Sequence, residues 1–159
     1  MFDLDLYEIL FLTSAFILQL ILVTHFALRK WRFGQAMRFG RIVYALGIPY
    51  AILSIFLLRN GMQWFFGLGG FIYLAWAIFG YTIEYVKRIE WRNSLRWSIL
   101  IPFVILYLAT VMFYWWPLAL IYKPLWYVYT VLFLINTYLN VTSHKTGASS
   151  PVTEARRAI

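Results

Sequence analysis

Residues 8–28 read EILFLTSAFILQLILVTHFAL, and residues 29–32 read RKWR. The run is predominantly apolar, with no alternation, and carries a single acid at its edge. At about 1.5 Å per residue it reaches across a hydrocarbon core of roughly 30 Å, which is what a transmembrane helix requires. A barrel strand would alternate and end near ten residues, and irregular chain would leave backbone groups unpaired in lipid. A cleaved secretory signal places its basic cluster before the apolar core. Here the preceding flank is acidic (Asp3, Asp5) and the cluster follows, so this segment is expected to stay in the mature protein.

Four further runs of this kind follow, near residues 42–58, 64–85, 97–116 and 125–142, the second being the shortest. The expected fold is therefore all-α: a polytopic integral membrane protein of five transmembrane helices in a bundle, covering residues 1–142. Residues 143–159 shift to Ser, Thr, Gly, Pro and charge, too little apolar surface to fold alone, and are expected to form a flexible cytoplasmic tail. Composition agrees. With 63% apolar and 13% charged residues and a mean hydropathy of +0.72, the chain cannot cover a water-soluble globule with polar surface. None of the connections could hold a soluble domain, so any chemistry belongs inside the bundle or on its rims.

The formal charge of +8 would point to nucleic acid in a soluble protein, but these basic residues flank apolar runs and read as topology signals and lipid headgroup contacts. They fall after the first run (Arg29, Lys30, Arg32, Arg38, Arg41), after the third (Lys87, Arg88, Arg92, Arg96) and in the tail (Lys145, Arg156, Arg157), leaving only Arg59 and Lys123 on the other side. The positive-inside rule then sets the N-terminus outside and the C-terminus in the cytoplasm, a layout that suits a bacterial-type cytoplasmic membrane. The absence of cysteine excludes disulfides, thiolate metal sites and dithiol redox chemistry.

Seven of the eight tryptophans fall near the ends of the runs, as interfacial belts do, and only Trp76 lies mid-membrane, where a packed core ring or a lipid-facing one is the expected state. Polar residues within the spans are more informative, because an unpaired amide or imidazole in hydrocarbon is costly. Gln19 lies near the middle of the first span and His25 toward its cytoplasmic rim. Asn136 and Asn140 stand one turn apart on a shared face of the fifth. Together with Tyr50 and Trp76 these amides define a candidate ligand-binding set (Gln19, Tyr50, Trp76, Asn136, Asn140), while interhelical hydrogen bonding is the competing and commoner role. Glu84 and His25 are candidates for a proton or rim site, although Lys87 and Arg88 at i+3 and i+4 offer Glu84 a local ion pair. His25 and His144 lie toward the same side, where a bridging haem or metal is the minor reading; with no supporting carboxylate nearby in sequence, a snorkelling or interfacial role is the expected one.

Small residues at Gly67, Gly70, Ala77 and Gly80 place the third span centrally in the bundle. Gly47 and Pro49 predict a kink near Pro49 that could open a cavity. Pro102 reads as a first-turn proline, and Pro117 and Pro124 as the stop and restart of the chain between the fourth and fifth spans. No phosphate loop, His-Glu-x-x-His pair or nucleophile elbow is present.

Length, five spans, basic charge and a surplus of Trp and Tyr together resemble the layout of the tryptophan-rich sensory protein (translocator protein) family, whose members bind porphyrins and sterols; the resemblance is architectural and carries no site residues. The sequence thus favours a non-enzymatic membrane protein that binds or transports a hydrophobic or aromatic small molecule. A structural or assembly subunit of a larger membrane complex is the alternative, and a small membrane-embedded enzyme using Glu84 or His25 the next. Its partners would be the bilayer, a hydrophobic small molecule, other membrane subunits or a second copy of the chain, not nucleic acid, and the sequence names no cofactor.

Overall fold

The computed structural model describes residues 4–89, 91 and 96–143. The expected tail after Ser143, with His144, and the loop residues Glu90 and Arg92 lie outside them. The described chain is all-α. Six helices, α1 (Leu6–Trp31), α2 (Phe33–Ala45), α3 (Gly47–Arg59), α4 (Trp64–Tyr81), α5 (Trp97–Ile121) and α6 (Lys123–Thr142), are joined by a π turn at Thr82–Val86 that prolongs α4. Because only Leu46 separates α2 from α3, they act as one rod, and the six helices make five rods. Four of these, Leu6–Trp31, Phe33–Arg59, Trp64–Val86 and Trp97–Ile121, are long and apolar enough to cross a membrane, as expected of a membrane protein.

α1 starts where its sequence says it should. The Asp5 carboxylate accepts from the Glu8 backbone N–H at 2.7 Å, and the Glu8 carboxylate accepts from that of Asp5 at 3.1 Å. This capping box satisfies donors that no helical carbonyl can reach. Arg29 and Lys30 occupy the last turn, where cations suit the helix dipole.

The second rod is longer than its apolar run of 42–58 predicts, beginning at Phe33. Arg38 and Arg41 break the apolar run without breaking the helix: they are exposed, while Ala36, Gly40, Val43 and Tyr44 form the buried face at helical spacing. The interruption falls at Leu46 instead of Pro49 itself. A proline ring clashes with the carbonyl four residues earlier, here Ala45, and Ala45 is where α2 ends. The ladder resumes with Tyr50 N–H donating to the Leu46 carbonyl at 3.2 Å. A Cβ on Gly47 would lie 3.0 Å from that of Ala77 and 3.2 Å from the Leu74 Cα, so the break lets α3 approach α4 closely.

Two prolines also differ from expectation. Pro102 lies in the second turn of α5, and Pro117 lies inside α5, which continues to Ile121. Neighbouring helices tolerate such prolines in membrane spans. Pro124 does restart the chain, in the first turn of α6, and Gly61, at φ +87, makes the left-handed end of α3.

α4 lies at the centre, against α2, α3 and α5. Successive rods are antiparallel, and α1 and α6 are therefore parallel: Phe16 meets Tyr129 with ring centroids 5.7 Å apart, and Lys30 sits 5.0 Å over the Tyr138 ring. Exposed Trp31, Trp64, Trp97 and Trp116 stand near the helix ends, as belts would. Trp91 does not belong with them, being buried against Phe103 at 4.9 Å. Trp115 and Trp126 pair at 4.9 Å, with Trp115 Nε1 donating to Thr130 Oγ1 at 2.7 Å.

Candidate functional site

All five residues of the expected ligand set are buried, but the fold divides them. Tyr50 and Trp76 belong to an aromatic core between α3, α4 and α5. The Tyr50 hydroxyl donates to the Ser14 carbonyl at 2.9 Å. Trp76 is enclosed by Tyr44 (5.2 Å), Tyr73 (5.8 Å), Phe103 (5.3 Å) and Tyr107 (6.4 Å), and Tyr73 donates to the Val43 carbonyl. These rings pack one another, and Trp76 Nε1 is sealed among them without hydrogen-bond geometry to a partner.

Gln19, Asn136 and Asn140 belong to a separate seam between α1, α5 and α6. On α1, Phe26 faces Tyr107 of α5 at 5.7 Å and Phe16 faces Tyr129 of α6. At about 100° per residue the Gln19 direction falls between those two, so its amide enters where the three helices meet. On α6, Tyr129, Asn136 and Asn140 follow at spacings of seven and four and are all buried, which places them along one face. The Tyr107 hydroxyl comes up beside Thr137 from α5.

Among the described residues, both amide atoms of Gln19, both of Asn136, Oδ1 of Asn140 and the hydroxyl of Tyr129 are sealed from solvent without hydrogen-bond geometry to any partner, while the hydroxyls of Tyr107 and Thr137 have each other as neighbours. Each such group costs about 1–3 kcal/mol when left unsatisfied. From the register of Phe16 and Tyr129, Gln19 and Asn136 differ in depth by about 6 Å, so the pair expected to bond across α1 and α6 is staggered. The seam instead offers a row of amides and phenols able to donate and accept.

The second set lies at the end of the bundle where α1 finishes. Arg29 Nη2 lies 2.8 Å from Glu84 Oε1, with the side chains only 4% and 6% exposed, and the Tyr44 hydroxyl donates to Glu84 Oε2 at 3.0 Å. One carboxylate thus ties α1, α2 and the π turn together. Glu84 is held by Arg29 across the bundle and not by the expected local pair, since Lys87 and Arg88 are exposed. His25, one turn before Arg29, is buried with its ring 6.4 Å from those of Tyr44 and Phe39. The Tyr85 hydroxyl donates to the Met37 carbonyl at 2.6 Å, over a glycine, Gly40, whose Cβ would lie 2.5 Å from that hydroxyl.

Arg29, Tyr44, Tyr107 and Tyr129 were not singled out by the sequence reading. A signal existed for Arg29: Phe11, Ala15, Leu18, Leu22 and His25 lead to it at steps of four and three, the buried stripe of α1. At the opposite end, Glu8, Gly61, Met62, Gln63, Phe66, Leu120 and Ile121 line a cavity of about 330 Å³. Among the described residues no three His, Asp or Glu side chains gather as metal ligands would.

No family model matches the chain, and no curated protein or solved structure matches it.

Proposed function

We propose that the chain is a five-span protein with its N-terminus outside and its basic end in the cytoplasm, and that it binds or carries a small amphipathic molecule in the α1–α5–α6 seam. The supporting observation is the pair of buried amides, Gln19 and Asn136, with every polar atom unbonded. A hydrocarbon-embedded site of this kind suits a ligand with an apolar body and several hydrogen-bonding groups, whose binding recovers the cost of the bare amides. α6 is the fifth span; at 20 residues it is about 30 Å long, and its Asn and Thr residues lower its hydropathy. It packs mainly against α1 and α5, so displacing α6 opens the seam to the bilayer with the other rods in place. The role is binding without catalysis.

The test is native mass spectrometry of the protein extracted gently from its own membrane, with Gln19→Leu and Asn136→Leu variants alongside. A small-molecule mass held by the wild type and lost from both variants is expected. The same mass retained by both variants, or protein partners held in its place, overturns the reading.

A further inference from the structure

The buried guanidinium of Arg29 has more to offer than Glu84 takes. Arg presents five N–H donors in a fixed plane. Glu84 occupies Nη2, while Nε and Nη1 are sealed from solvent with no hydrogen-bond partner among the described residues. An ion pair alone does not explain this. Buried pairs are expensive ways to hold helices together, and a pair kept for packing would have its remaining donors satisfied by carbonyls. Arg29 lies two residues before the exposed Trp31 at the end of α1, the depth at which acyl chains give way to headgroups. Arg41 stands 5.6 Å over the ring of Tyr85, next to Glu84 in sequence, which brings a second guanidinium to this corner.

The geometry points to Arg29 as the receptor for an oxyanion, the phosphate or carboxylate of an acidic amphiphile in the leaflet at the basic end. The anion's oxygens meet Nε and Nη1, and Glu84 holds the third nitrogen as a built-in competitor. The Tyr44 hydroxyl keeps Glu84 in place when its share of Arg29 is contested. Arg suits this task better than Lys because its planar fork matches two oxygens at once. This site lies on a different face of α1 from the Gln19 seam and does not depend on the seam's ligand.

The experiment follows the thermal stability of the purified full-length protein in a neutral detergent during titration with dihexanoyl phosphatidic acid, inorganic phosphate or dihexanoyl phosphatidylcholine. A saturable upward shift with phosphatidic acid and none with phosphatidylcholine is expected. Glu84→Gln removes the competing charge yet can still accept from Tyr44, and should bind the acid about tenfold more tightly. The paired variant Arg29→Gln/Glu84→Gln carries no uncompensated charge, so it should fold and lose the saturable shift. Inorganic phosphate matching the lipid would support the oxyanion site and assign it to a free anion. An unchanged shift in the paired variant, or equal responses to the two lipids, would overturn the proposal by placing binding on surface cations such as Lys30 and Arg32.

Discussion

Gly70 lies so close to Tyr50 that a Cβ on the glycine would come 2.5 Å from the tyrosine's backbone oxygen. Backbone cannot retreat as a flexible side chain can, so Gly70→Ala should push α3 and α4 apart and cost about 1–3 kcal/mol. Gly34→Ala is the matched control, because nothing lies within 4 Å of its Cβ position, and a helical alanine there should be neutral or stabilising by up to about 1 kcal/mol. Unfolding in mixed micelles measures both. Equal losses would show that α3 and α4 do not pack at the described distance.

The Arg29–Glu84 pair should give strongly non-additive results. Arg29→Leu or Glu84→Leu alone strands a buried charge and should cost about 3–5 kcal/mol, whereas the double variant should recover most of that loss. A double-mutant cycle measures the coupling. Additive losses would mean that the two residues do not meet.

The two tyrosine bonds to α1 and the π turn should rank by the charge of their acceptors. Tyr44→Phe removes a bond to a carboxylate and should cost about 1.5–3 kcal/mol, against about 0.5–1.5 kcal/mol for Tyr50→Phe, which loses a bond to a neutral carbonyl. The same unfolding assay decides the order, and a larger loss at Tyr50 would argue against the Tyr44–Glu84 contact.

With no native cysteine, orientation can be read by single thiols. Gln35→Cys and Gln63→Cys are exposed positions at opposite ends of the bundle, the first near the start of the second rod and the second at the N-cap of α4. In intact cells an impermeant maleimide should label position 63 and spare position 35 until the membrane is opened. Labelling of position 35 alone would invert the proposed topology.

The helices were legible because lipid imposes one rule on every span, continuous apolar character. The limits of the second rod were not, since Arg38 and Arg41 end its apolar run while its helical hydrogen bonds continue underneath. Pro117 misled for a related reason: a proline that halts a helix in water is tolerated in α5 amid packed neighbours. The centrality of α4 could be read from its small residues, and the burial of Gln19 and Asn136 from their depth. Their lack of partners could not, because it depends on the stagger between α1 and α6. Nor could the partner of Glu84, since Arg29 is fifty-five positions away while Lys87 and Arg88 are within one turn.

The π turn at Thr82–Val86, closed by Lys87 N–H donating to the Thr82 carbonyl at 2.8 Å, holds one residue more than the α turn it replaces. That extra residue makes the Arg29–Glu84 partnership a property of chain length as well as of side-chain identity. Deleting Ile83 would keep both charged residues yet swing the carboxylate about 100° around the helix axis, away from α1. A relative that lacked the insertion would have to carry its acid one position along to reach the same arginine, and an alignment gapped at Ile83 would set that acid opposite Tyr85.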